Sequence, residues 1–418
     1  MIALLLLLLQ DRVVIVSVDG MRPDHYLADG WEMPTLRKWV EAGAHAKGAE
    51  SVFPSVTYPA HATIVTGVRP AKHGVVANGR FGESGAMREW HWEAKEIKAR
   101  TLWQAAREKG LKTAIVLWPS SVGADVDWRV AERWAVDKTE NTAELLAKHS
   151  TKGLLGELAL AIGVPPKGAD SREGMDKFIS EAAAYVLRKY KPQLAFVHLG
   201  EVDHFSHREG PDSERVKRAV KETDEHLARI RKGAGEDALM IVTGDHGFTE
   251  VSESVAPNVL LAEAGFIEIE EGKLKSWKAM VHAYGGSAAA YVKEGTDAAA
   301  VAKVLEKGRK GYVLVDRRAL DELGGNAAAA FALEAEDGFQ IAGALTGAFT
   351  GKATVKGQHG QLPWRAKLMT GFVAVGPGAK AGASVEKIRL IDIAPTVAKV
   401  LNLDMKDVEG RVLSEVLK

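Results

Sequence analysis

The chain has 418 residues, 46% hydrophobic and 26% charged, which is the make-up of one large folded domain with insertions or of two domains. Lysine plus arginine and aspartate plus glutamate number 55 each, so no overall field draws the protein to nucleic-acid polymer or to an anionic membrane, and any phosphate it handles must be attracted locally. The lack of cysteine excludes disulfide frameworks, thiolate zinc sites and cysteine nucleophiles, leaving His, Asp and Glu as the strong metal ligands.

The leader MIALLLLLL is too short to span a bilayer but long enough for the apolar part of a signal peptide, so residues 1–10 are expected to direct the protein to the periplasm or outside the cell. It has no basic flank and no A-x-A-like cleavage site, which leaves an apolar leading strand and a cytoplasmic location open. Val13 to Val18 is a β-branched run ending at Asp19-Gly20, the pattern of a buried parallel strand that delivers a carboxylate at its C-terminal end. The same grammar recurs in Thr113 to Leu117, in Gln193 to Leu199 running toward Asp203, and in Leu239 to Thr243 ending at Gly244-Asp245-His246.

Between these strands, Pro34 to Ala42, Thr101 to Lys109, Asp176 to Tyr190 and Asp212 to Lys232 have helical spacing. Alternating strands and helices predict an α/β sheet covered on both faces, with its site beyond the strand ends. From Val255 to Thr354 glycine and alanine-rich runs with short strands predict an α+β cap, so that 11–254 and 355–418 form the catalytic domain. Beyond the cap lie Gly357-Gln358-His359-Gly360, a strand at Gly371 to Val375, and IRLIDIAPTVAKVLNL as a loop and helix.

Asp19, Asp203 with His207, Asp245 with His246, and His359 gather acid and imidazole groups, a mixture that suits zinc better than magnesium and leaves manganese or iron open. Taken singly each has a plain structural reading; together they fall at the strand ends of one sheet. In SVFPSVTYPAHATIVTGVRPAKHGVVAN, Thr57 stands where a helix opens, near free N–H groups that favour phosphate. It is either an ordinary helix cap or, beside a metal that lowers its hydroxyl pKa, a nucleophile.

DGMRPDHY, TYPAHATIVTGVRPAKHGVVAN, EVDHFSHREGP, VTGDHGF and GQHGQLP, in this order and spacing, resemble the alkaline phosphatase superfamily, and within it the nucleotide pyrophosphatase/phosphodiesterase branch. The resemblance runs over nearly the whole chain apart from the cap. It implies an α/β three-layer sandwich around a mostly parallel sheet. It also implies two zinc ions, one held by Asp203, His207 and His359 and the other by Asp19, Asp245 and His246, with Thr57 at the second. Asn78 then donates to a phosphoryl oxygen, and Tyr58 stacks on a nucleobase; a second aromatic, Trp128 or Trp134, either completes a sandwich around the base or merely packs the loop. Two ions roughly 4 Å apart stabilise the attacking and leaving oxygens of an in-line displacement through a phospho-threonine intermediate.

Where threonine-dependent monoesterases of the superfamily have a Lys and an Arg, the chain reads AIVLWPSSVGADVDW, closer to the Trp-Pro-Gly-Ser element of the diesterase branch with Ser120 in place of its Gly. Against this, PAHATIVTG is close to the monoesterase form, because the branch more often has Asn where Ala60 stands. The expected substrate is a phosphodiester or pyrophosphate of a nucleotide, with phosphomonoester and phosphonoacetate hydrolysis as alternatives. A sulfatase is excluded by the absence of any C/S-x-P-x-R motif, and a non-catalytic binding module is disfavoured because no ligand is lost. His61, His73 and His204, together with Asp24, are expected to be structural. His25, His45, His91, His149, His198, His226 and His282 are read as plain core or surface.

Overall fold

A computed structural model describes residues 12–82, 87–136, 139–166, 173–307 and 310–418, so the expected leader at 1–10 lies outside the described residues. The central sheet is built from β1 (Val13–Val18), β2 (Ala44–Glu50), β3 (Thr113–Val116), β4 (Trp128–Val130), β5 (Leu194–Leu199), β6 (Leu239–Thr243), β7 (Thr370–Val375), β8 (Ala383–Val385) and β9 (Ile388–Arg389). Across the sheet the order is β8-β2-β7-β6-β1-β5-β3-β4, with β9 also paired to β2. β7 alone runs antiparallel to its neighbours; the remaining pairs are parallel.

The apolar runs read as doubly covered strands because alternate side chains enter two different cores. Val13 and Ile15 of β1, Phe196 of β5 and Ile241 of β6 pack with α2 (Thr57–Thr66), α3 (Leu102–Glu108) and α7 (Ile393–Leu401). Val14 and Val16, Val197 and Val242 point the other way, against α1 (Pro34–Ala42), α4 (Met175–Tyr190) and α6 (Glu214–Ala234). Each of these strand side chains is essentially inaccessible to water, which contributes about 1.5–3 kcal/mol apiece. The result is an α/β three-layer sandwich.

Helix α6 starts at Glu214 rather than Asp212, because the Ser213 hydroxyl accepts from the Val216 N–H at 3.3 Å and fixes the start there. Helix α5 (Glu201–Glu209), which follows β5, is capped at its far end by Gly210. After β6 the chain enters the strand Thr249–Val255 and then a separate antiparallel sheet of Ala279–Ala283, Ser287–Val292, Phe331–Ala335 and Tyr312–Val315. That sheet has its own core around Leu261, Met280, Leu305 and Leu333. Thr350–Lys352 and Gly357–Gln358 come back antiparallel on Thr249–Val255, with Gln358 opposite Thr249. This return carries His359 to the end of β6.

Candidate active site

β5, β1 and β6 are adjacent and parallel, so their C-terminal ends share one edge, where open α/β sheets place their ligands. Asp19 follows β1, Asp245 and His246 follow β6, and α5 presents Asp203 and His207 one turn apart on one face. Two glycines make these turns fit. Gly20 has φ of 72°, donates its N–H to Asp245 Oδ1 at 3.1 Å, and a Cβ there would come within 3.2 Å of the Phe248 ring. A Cβ on Gly244 would lie 2.0 Å from Thr370 Oγ1.

The acid and imidazole groups fall into two clusters, Asp203 with His207 and His359, and Asp19 with Asp245 and His246, the ligand atoms of each cluster lying within 4.8 Å of one another. His207 Nε2 and His359 Nε2 are 3.4 and 3.5 Å from Asp203 Oδ1. His246 Nε2 is 3.4 Å from Asp19 Oδ1 and 3.2 Å from Asp245 Oδ2. The imidazoles are oriented from behind: Nδ1–H of His207, His359 and His246 donates to the carbonyls of Gly357, Ser55 and Gly247 at 2.9, 3.0 and 3.1 Å. That leaves each Nε2 lone pair facing its cluster.

Asp203 Oδ1, Asp245 Oδ2 and His246 Nε2 are buried without a hydrogen-bond partner. Buried acceptors left bare are costly, and these, one in the first cluster and two in the second, each among further carboxylate and imidazole atoms, fit a cation in each cluster. Burial, then His246 and His207, hold His359 well below its usual pKa, which keeps it in the neutral form that binds metal. The nitrogen-and-oxygen donor sets suit ions of the zinc, manganese or iron kind better than magnesium.

Above the clusters lies a cavity of about 800 Å³ bordered by Asp19, Thr57, Asn78, Asp203, His207 and His359. Val56, not Thr57, holds the cap position of α2, and no side-chain cap bond is made there. Thr57 is instead the first helical residue, at 9% exposure on the cavity wall. Asn78 Oδ1 accepts the Tyr58 N–H at 2.9 Å, which fixes the amide so that its NH₂ is the end left for another partner. An Asn78→Ala variant is expected to lower kcat by roughly 10²-fold, the scale for one donor to developing charge, in steady-state assays of both proteins at matched metal content.

Tyr58 borders the cavity but is only 1% exposed: its hydroxyl donates to Glu132 Oε2 at 2.6 Å, and its ring lies 5.4 Å from that of Trp90. Of the two tryptophans considered as its partner, Trp134 reaches the cavity, whereas Trp128 stacks on Tyr190 at 4.5 Å. Trp90, not singled out in the sequence, also lines it. Ser120, standing where the diesterase branch has Gly, has φ of 54°, the left-handed region that accounts for a glycine, and its hydroxyl donates to the His91 carbonyl at 2.8 Å.

His61 Nδ1–H donates to the Thr57 carbonyl at 2.8 Å, and His73 Nε2–H to Thr63 Oγ1 at 3.0 Å. Asp24 is held by Arg22 through two 3.0 Å bonds. His204 borders the cavity but joins neither ligand cluster. One expectation is corrected: His198 is not plain core, since its Nε2 lies 3.2 Å from Asp19 Oδ2 at the cavity wall. The available signal was a lone imidazole in a continuous apolar strand, one residue before its C-terminal end.

Residues 13–362 match the family model described as type I phosphodiesterase/nucleotide pyrophosphatase. The chain is 25% identical over 268 residues to an uncharacterized pyrophosphatase/phosphodiesterase of Schizosaccharomyces pombe, covering 59% of this chain and 46% of the relative. It is 25% identical over 262 residues to venom phosphodiesterase 2 of Crotalus adamanteus, covering 58% and 27%. The chain thus spans less than half the length of these curated relatives. Among solved structures, murine ectonucleotide pyrophosphatase/phosphodiesterase 5, as an inactive Thr-to-Ala variant in complex with AMP, superposes with a TM-score of 0.70 at 21% identity over 98% of this chain and 100% of that one. At that identity the likeness speaks to the fold.

Proposed function

The chain belongs to the type I phosphodiesterase/nucleotide pyrophosphatase family of the alkaline phosphatase superfamily, and on that premise we propose that it hydrolyses phosphodiester or pyrophosphate bonds of nucleotide-like substrates through a phospho-threonine intermediate. The observation that carries the reading is the meeting of both ligand clusters with Thr57 and Asn78 at one cavity. The AMP bound by the murine neighbour, whose Thr-to-Ala variant is inactive, supports both the nucleotide and the threonine.

In this mechanism Asp203, His207 and His359 hold one divalent ion, and Asp19, Asp245 and His246 the other. Such ions supply positive charge for the attacking and leaving oxygens and lower the pKa of a hydroxyl beside them. Thr57 Oγ attacks phosphorus, the ester oxygen opposite it departs, and water then cleaves the phospho-threonine with inversion at each step. Asn78, its oxygen already engaged by the Tyr58 N–H, donates from the amide to an equatorial oxygen whose charge grows in the transition state. His198 steadies Asp19 through its outer oxygen. Tyr58, Trp90 and Trp134 form the aromatic end where a nucleobase packs, Tyr58 through the small part of its ring left uncovered. Residues 255–354 serve as a cap on a catalytic domain of 11–254 and 355–418, and no helix among the described residues is long and apolar enough to cross a membrane.

The test is kcat/KM for bis-p-nitrophenyl phosphate, thymidine 5′-monophosphate p-nitrophenyl ester and p-nitrophenyl phosphate, with zinc-loaded protein and a chelated control. The expected order puts the nucleoside ester first and the monoester last, with all turnover lost on chelation. A preference for the monoester would place the protein with the monoesterases instead.

A further inference from the structure

Among the described residues, none of 255–354 borders the cavity at the two ion clusters. Whatever this insertion does for the reaction, it does through the residues it packs against. One of those contacts leads to an ion cluster. The cap hairpin of Ala279–Ala283 and Ser287–Val292 turns at Tyr284-Gly285-Gly286, and this turn lies against segment 357–361, which carries His359.

The turn is fixed from the cap side. The carbonyls of Gly285 and Gly286 accept from the N–H groups of Ile341 and Ala335 at 2.7 and 2.9 Å, and the Tyr284 N–H donates to the Ser287 carbonyl at 2.7 Å. Facing the other way, the Gly286 N–H donates to the His359 carbonyl at 2.8 Å. The His359 N–H is held as well, by Gln358 Oε1 at 3.0 Å, and the Gln358 amide lies so close to Gly285 that a Cβ there would collide with it. Both ends of the ligand's main chain thus answer to two adjacent glycines of the cap, while Ser55 of the catalytic domain holds its ring.

The lack of side chains is what lets the two segments meet. A Cβ on Gly286 would run into the His359 carbonyl oxygen and Gln361 Oε1. The Gly286 backbone is not in the left-handed region, so close approach, and not its own conformation, calls for glycine there. The far side has little room to yield: Gln361 is buried, its Nε2 donates to Thr249 Oγ1 at 3.2 Å, and its carbonyl accepts from Ser55 Oγ at 2.9 Å.

Asp203 and His207, the other two groups of this cluster, both stand on α5. The distance from α5 to His359 is therefore set by whatever holds the His359 main chain. Ligand distances in a metal site are kept to within about 0.2 Å, so a displaced main chain weakens the ion. Asp19, Asp245 and His246 stand at the ends of β1 and β6, and the His246 ring stacks on that of His359 at 3.6 Å, so their ion feels the turn at second hand.

We propose that the turn at Gly285 and Gly286 positions His359, so that the cap sets the affinity of the ion held by Asp203, His207 and His359 and is a working part of that metal site. The inference rests on the ligand assignment given above.

The test measures the Zn²⁺ affinity of the full chain by chelator competition and follows the two ions separately through the visible absorption of the Co²⁺-loaded protein. His359→Ala identifies which bands and which dissociation constant belong to its ion. Gly286→Ala is expected to weaken that ion by about ten-fold or more, the scale for a group that orients a ligand, and to weaken the other ion less. Gln358→Ala, which removes the acceptor of the His359 N–H without adding bulk, is expected to weaken the same ion several-fold. Leu305→Ala, in the cap core, is expected to lower Tm and leave both affinities at their wild-type values.

Wild-type affinity for the His359 ion in Gly286→Ala overturns the proposal; where that variant fails to fold, the same result in Gln358→Ala does. A loss in Leu305→Ala that matches theirs also overturns it, because the cap would then serve the general stability of the fold. Two ions bound unchanged by His359→Ala would instead overturn the ligand assignment itself, a result that the cap variants cannot produce.

Discussion

Replacing Thr57 with Ala is expected to lower kcat by on the order of 10⁴-fold or more while leaving the fold and the bound metal in place. The change removes one hydroxyl and one methyl from a residue that caps no helix through its side chain, and it leaves the three carboxylate and imidazole groups of each cluster untouched. Its neighbour Asn78 is held by the Tyr58 main-chain N–H, which the substitution does not touch. Metal content by elemental analysis and Tm should therefore match the wild type, and AMP should still bind. Thr57→Ser keeps a hydroxyl and should retain measurable turnover. A wild-type sample quenched during turnover should carry phosphate on the peptide that contains Thr57. If water attacked phosphorus directly, Thr57→Ala would stay within about ten-fold of the wild type and no labelled peptide would appear; that pair of results would remove the covalent step.

The sheet was readable because its strands are buried on both faces: a run such as Val13–Val18 has no polar face to disguise it. For the same reason the residues just past each run stood out, since Asp19, Asp245 and His246 are where an apolar pattern breaks into acid and imidazole. What stayed hidden depends on contacts between segments far apart in the chain. His198 looks like a core residue in its own strand, and only the register that sets Ser17 opposite it brings its ring to Asp19. The reciprocal cap between Asp176 and Glu201 joins the starts of two helices separated by a whole strand, and no local spacing announces it.

Tyr58 shows the opposite limit. An aromatic beside the nucleophile reads as an open platform, but the Glu132 bond to its hydroxyl and the overlying Trp90 bury nearly all of the ring. Composition could not foresee that, because it turns on how the segment around Glu132 folds back over α2.

Stripping divalent ions with a chelator is expected to abolish turnover and to lower Tm by about 9 °C. The two effects have one origin. Asp203 Oδ1, Asp245 Oδ2 and His246 Nε2 are held in place by the fold yet find no partner within it, so a cation removes a cost present only in the folded state. An ion that binds only the folded protein stabilises it by RT ln(1 + [M]/Kd), about 4 kcal/mol at a thousand-fold excess over Kd, and so about 8 kcal/mol for one ion in each cluster. With an unfolding entropy of roughly 0.9 kcal/mol/K for 418 residues, that corresponds to the shift given. Zinc added back should restore both turnover and Tm. Magnesium should restore neither, because it keeps its waters and prefers oxygen, whereas His207, His246 and His359 offer nitrogens already oriented by main-chain carbonyls. Full turnover in protein shown by elemental analysis to be metal-free would mean that these oriented imidazoles serve the substrate directly; a drop in Tm without loss of turnover would make the ions structural and leave Thr57 to be activated by its protein neighbours alone.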